Sequence, residues 1–115
     1  MTLNTNLKHL SSADELKELI DTSENVMVCC GRMGPMCVPV YVVMQELEGS
    51  EEYREVEFRD MLFDNPESNV IRNLPECSSF LGLPFTVYYK NGKVVKATSS
   101  VQSKEQITNN LNEIL

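Results

Sequence analysis

The chain has 115 residues, 42% of them hydrophobic, and a formal net charge of −7. That size and apolar fraction suit one domain, spanning 1–115, able to bury a core without disulfide or metal staples. The acidic balance argues against nucleic acid or an anionic membrane as the main partner, because both need clustered Lys and Arg, and no segment approaches the roughly 18 apolar residues of a membrane span.

The N-terminus, Met1-Thr-Leu-Asn-Thr-Asn, lacks a charged stretch followed by an apolar one, so no signal peptide is read and a cytoplasmic location is expected. His9 is assigned to a short first strand. Ser12-Ala-Asp-Glu15 is a capping box, and Leu16, Leu19 and Ile20 then share one helical face. An apolar strand over 25–30 follows, then a helix running through Leu47 and ending near Gly49. Val56 to Phe63 reads as a strand with partial alternation, and 67–73 as a short helix broken by Pro75. Asn91-Gly92 separates strands at 85–89 and 93–98; both turn residues must tolerate positive φ, which makes this a strong hairpin signal. Ser103-Lys-Glu-Gln106 repeats the capping box, and Ile107, Leu111 and Ile114 form the apolar stripe of a last helix. The order β-α-β-α-β-α-β-β-α predicts an α/β sheet with helices on both faces.

The stretch with most chemical content is Cys30-Gly-Arg-Met-Gly-Pro-Met-Cys37, where the apolar strand hands over to a helix. A thiol at a helix N-terminus feels the positive end of the helix dipole, which favours thiolate. Two helix starts are open. With Pro35 first, Cys37 lies in the first turn and Pro39 kinks the helix; with Pro39 first, Cys37 lies just outside the N-terminus, more exposed and better placed for attack.

The strand–Gly-Pro–helix unit, Asp64-Asn65-Pro66 after an apolar strand, and the run from Gly82-Leu83-Pro84 through Lys90-Asn91-Gly92 to a Ser-initiated helix together resemble the thioredoxin family over nearly the whole chain. The resemblance implies a thioredoxin-like fold, a central mixed β-sheet flanked by helices on both faces, with Pro84 cis and facing the redox centre. It also implies protein substrates, or a reductase, engaged through thiol exchange at Pro84 and Leu83. It makes the family's kinking proline in this helix an argument for the Pro35 start. The departures are equally plain. Thioredoxins carry Trp-Cys-Gly-Pro-Cys at the helix start; here Gly34-Pro35 is flanked by Met33 and Met36, and there is no tryptophan. Cys29 falls where the family keeps a buried acidic residue, and Ser100 where it has a glycine.

Among the four cysteines, Cys29 and Cys30 are adjacent, and α-carbons about 3.8 Å apart lie below the disulfide range. In a strand the two also point to opposite faces. The later one is nearer the loop, so Cys30 with Cys37 is the expected redox pair, six residues intervening, with Cys37 the attacking thiol. Cys29 and Cys77 are possible additional thiols; Cys77 lies in the segment leading to Pro84. No metal is expected, because the cysteines offer no Cys-x2–4-Cys hook and the single histidine is remote, and no cofactor motif is present. Met33 and Met36 suit an adaptable apolar surface for a partner protein. Arg32, the one basic residue of the loop, is expected to lower the thiol pKa by its charge. The leading reading is a monomeric thiol–disulfide oxidoreductase using Cys30 and Cys37. The alternative is a redox-inactive binding or adaptor module that uses the Pro84 face.

Overall fold

The computed structural model describes residues 2–115. Its sheet has five strands, β1 (Lys8–Leu10), β2 (Asn25–Gly31), β3 (Val56–Leu62), β4 (Phe85–Lys90) and β5 (Lys93–Ser99). They lie in the order β1-β3-β2-β4-β5, with β1, β3 and β2 parallel and β4 and β5 antiparallel. The helices are α1 (Ala13–Thr22), α2 (Val38–Glu48), α3 (Asn69–Arg72) and α4 (Lys104–Ile114). This is the expected mixed sheet with helices on both faces. Every residue of β2 is buried, which is why it reads as a continuous apolar run rather than an alternating one.

Two core layers flank the sheet. On one side Met27 and Cys29 of β2 and Phe58 of β3 pack with Val40, Tyr41 and Met44 of α2 and Ile107 and Leu111 of α4. On the other, Val26, Val28 and Cys30 of β2 and Met61 of β3 pack with Leu16 of α1 and Ile71 of α3. The two-residue period of β2 therefore sends its successive side chains to opposite layers.

Local signals account for most element ends. Ser12 caps α1 by accepting the Glu15 N–H, and Ser103 forms a complete capping box with Gln106 at α4. At the hairpin Asn91 and Gly92 have φ of 52° and 82°, the paired positive values that the turn requires. Ser100, in the position expected for a glycine, also sits at positive φ, 68°. The helix expected over 67–73 is shorter: a 3-10 turn at Pro66–Ser68 leads into the single α-turn of α3, and a second 3-10 turn spans Pro75–Cys77. Prolines at both turn starts break the hydrogen-bond register that one longer helix needs.

The start of α2 corrects the start favoured by the resemblance. Cys37 is the N-cap and Val38 the first helical residue, so Pro39 falls in the first turn, where its missing N–H costs no intrahelical bond. Pro35 lies in the preceding turn, outside the helix.

No described helix is long and apolar enough to cross a membrane, and no group of three or more His, Cys, Asp or Glu among the described residues is placed to hold a metal ion.

Candidate functional site

The last residue of β2, the N-cap of α2 and the proline ahead of β4 converge on one point. An added Cβ at Gly31 would lie 2.8 Å from the Tyr41 hydroxyl, 2.9 Å from Cys37 Sγ and 3.0 Å from Pro84 Cβ. Only a residue without a side chain lets these three groups close over the strand end. The Leu83–Pro84 peptide is cis, as the resemblance implied.

Cys37 is 3% exposed, less open than a position outside the helix suggested. Its side chain caps no α2 amide. The amides there are already spent: Cys37 and Val38 donate to Gly34 O at 3.1 and 3.0 Å, and Val40 and Tyr41 donate to Cys37 O at 3.0 and 3.2 Å. The hydrogen bond that does reach the thiol comes from the Arg32 backbone N–H, 3.5 Å from Sγ. The Arg32 carbonyl accepts from Tyr41 Oη at 3.0 Å. Its guanidinium grips Asp64 bidentately, Nε to Oδ2 at 2.8 Å and Nη2 to Oδ1 at 2.7 Å, and lies 5.3 Å from the centre of the Phe63 ring. That pairing raises the Arg32 pKa and holds the Asp64 carboxyl below the ordinary range.

All four cysteines are free and buried. The pair expected from the sequence, Cys30 with Cys37, is not brought together. Cys30 points into the α1–α3 layer, whereas Cys37 belongs to the α2–α4 layer, on the other side of the sheet. Burial pushes the Cys30 thiol up to about 12, offset in part by Ser68 and Arg72. Cys29 is the strand cysteine that shares the Cys37 layer, and burial raises its thiol well above the usual range, a weak bond from Thr86 notwithstanding. Cys77, the other possible additional thiol, lies in the Cys30 layer rather than the Cys37 layer, and burial raises its pKa too.

The helix start also changes how the sequence lines up with the Cys-Gly-Pro-Cys pattern. Cys37-Val38-Pro39-Val40 now occupies the N-cap and first turn, so a cysteine stands first and the fully buried Val40 stands where the second cysteine would be. Met33 and Met36, earlier matched to the cysteine places, sit in the loop before the helix, 46% and 44% exposed. Leu83 is part-buried against both core layers, and Leu81 nearby is fully exposed.

Sequence reading missed a polar row beneath the site. His9, Asp60, Cys29, Thr86 and Thr98 are register partners across all five strands. Asp60 is fully buried, accepts from the Thr5 hydroxyl and lies 2.6 Å from His9 Nδ1. Burial nonetheless raises its pKa. The signal available was an acidic residue on the Val56–Phe58 face of β3, where alternation calls for another apolar side chain.

Comparison with solved structures identifies the fold. The chain superposes on a thioredoxin from Malassezia sympodialis with a TM-score of 0.76 at 14% identity, covering 99% of this chain and 95% of that one. Plasmodium falciparum thioredoxin gives 0.74 at 20% identity, covering 95% and 100%. Oxidised mitochondrial thioredoxin 3 of Saccharomyces cerevisiae gives 0.74 at 19%, covering 93% and 94%. No protein-family model and no curated protein matches the sequence significantly. The chain therefore has the thioredoxin fold, stated at the level of fold because the identities are this low.

Proposed function

We propose that the protein performs thiol–disulfide exchange through Cys37. The observation that carries this reading is the Cys37 sulfur itself: a thiol at the N-cap of α2, against Gly31 and Pro84, receiving a backbone N–H at 3.5 Å. A hydrogen bond to sulfur strengthens as the sulfur gains negative charge, and the helix dipole acts in the same sense, so both stabilise charge on this sulfur during exchange. Attack by that thiolate on a disulfide sulfur of a client protein forms a Cys37–client bond and expels one client thiolate, which takes up a proton. A second thiolate then attacks the Cys37–client disulfide and releases the other client sulfur. Cys29 is the internal thiol on the right side of the sheet for that step, and an external thiol serves equally; Cys30 is on the wrong side. Because Cys37 is so little exposed, exchange requires local movement at the exposed Met33–Met36 turn, with Arg32 held in place by Asp64.

The test is turnover. Reduction of a protein disulfide by dithiothreitol should be accelerated by the wild-type chain and return to background with Cys37→Ser. Equal rates for the two proteins would remove the exchange reading.

A second reading has its own observation. Val40 stands in the second cysteine place, and Met33, Met36 and Leu81 offer exposed apolar surface in the Arg32–Met36 loop and ahead of Pro84. These fit a module that holds an extended protein segment without exchanging thiols. Turnover at background, with the binding of a client peptide lost on Met33→Ser/Met36→Ser, would favour it.

A further inference from the structure

Arg32 entered as a cation beside a thiol, but the geometry points to a different role. We propose that Arg32 is a positioning residue: clamped by Asp64, its side chain aims its own backbone N–H at the Cys37 sulfur. The inference rests on the exchange reading and names the device that prepares its thiol.

Three contacts fix this residue from three directions. The guanidinium makes two bonds to Asp64, at 2.8 and 2.7 Å, in the planar fork that only arginine supplies. Its face lies over Phe63. The carbonyl is held by the Tyr41 hydroxyl, which hangs from the second turn of α2 and is fully buried. What remains free to point is the N–H, and it points at Sγ from 3.5 Å.

The α2 amides at Cys37, Val38, Val40 and Tyr41 are consumed by carbonyls. Among the described residues this N–H is the hydrogen-bond donor given to the thiol, so its aim matters more than it would at a helix start with spare donors. The charge of Arg32 is matched by the Asp64 carboxylate it grips, which weakens any direct pull on the sulfur. Asp64 lies on the far side of β3 in sequence, two residues past its end, so the latch ties the loop after β2 to the segment after β3.

The two roles predict opposite signs for one substitution. Asp64→Asn removes the anion and leaves a cation near the thiol. Through-space charge would then quicken thiolate chemistry, whereas loss of the latch slows it. The experiment is iodoacetamide alkylation of the full-length chain from pH 5 to 9, followed peptide by peptide so that Cys37 is read separately. The expected result is a decrease of about five- to tenfold at pH 7 for both Asp64→Asn and Arg32→Met, with both profiles displaced to higher pH, since a hydrogen bond to a charged group is the interaction lost. The double variant should match either single one, because the pair acts as a unit. Arg32→Lys, which keeps the charge and loses the fork, should fall between. Faster alkylation in Asp64→Asn, unmoved profiles, or additive effects in the double variant would overturn the latch while leaving exchange at Cys37 intact. Absence of pH-dependent alkylation of Cys37 in the wild type would overturn both. Both side chains are more than half exposed, so the variants should fold, and circular dichroism of each checks this.

Discussion

Gly31→Ala puts one methyl group into the narrowest part of the site. It would sit 2.8 Å from the Tyr41 hydroxyl, 2.9 Å from Cys37 Sγ and 3.0 Å from Pro84 Cβ, all too close for a carbon. None of the three yields cheaply. Tyr41 is fully buried and tied to the Arg32 carbonyl, Cys37 is fixed by the first turn of α2, and Pro84 is held by its ring and by its carbonyl's bond from Ser100 N–H at 3.0 Å. Overpacking a well-filled site typically costs about 1–3 kcal/mol, and three confined neighbours put this one near the upper end, about 2–3 kcal/mol. For a domain of this size that is a fall in Tm of roughly 8–15 °C. Urea unfolding, with the slope unchanged and the midpoint lowered, is the assay. Alkylation of Cys37 should change in the same variant, because relief of the clash has to move the thiol, Pro84 or Tyr41. A variant within about 0.5 kcal/mol of wild type, the range of a neutral surface change, would refute the reasoning.

Other consequences are equally open to measurement. Ser100→Gly should stabilise the chain by about 0.5–1 kcal/mol in urea unfolding, since left-handed backbone costs a non-glycine residue about 1–2 kcal/mol and the glycine's extra unfolded freedom returns part of it. Cys30→Ala should leave turnover and Cys37 alkylation unchanged, because its thiol lies in the opposite core layer; loss of turnover would restore the Cys30–Cys37 pairing. Asp60 gives a pH signature. Its carboxyl is held above the ordinary range by burial, so its contribution to stability is fully present below an unfolded value of about 3.9 and is lost as pH rises through the folded value. Wild-type stability relative to Asp60→Asn should therefore fall as pH rises above about 4, read from urea midpoints of both proteins; a constant difference would contradict this.

Much of the scaffold was legible in local signals, because local interactions create it. Capping boxes at Ser12 and Ser103, the Asn91-Gly92 turn and the apolar run of β2 each act over a few residues. The site was less legible, and for tertiary reasons. Alternation along β2 requires Cys29 and Cys30 to face opposite ways, but which of them meets Cys37 depends on the side of the sheet that α2 covers. Nearness in sequence to the loop pointed to Cys30; packing of α2 against Met27 and Cys29 gives the other answer. The start of α2 was a choice between two prolines, each acceptable in a first turn, and it decided which four residues overlay the Cys-Gly-Pro-Cys pattern. Arg32 with Asp64, and His9 with Asp60, join residues 32 and 51 positions apart, and no short-range pattern announces such pairs. The tight quarters at Gly31 have no local signal either, since the groups around it come from α2 and from the segment before β4.

The most direct measurement is mass-spectrometric mapping of all four cysteines after the full chain is equilibrated in graded glutathione–glutathione disulfide buffers. The account predicts that Cys37 is oxidised first and reversibly, as a glutathione mixed disulfide or a bridge to Cys29, with Cys30 and Cys77 remaining thiols. Four free thiols through the oxidising end of the series, or oxidation that begins at Cys30 or Cys77, would contradict it.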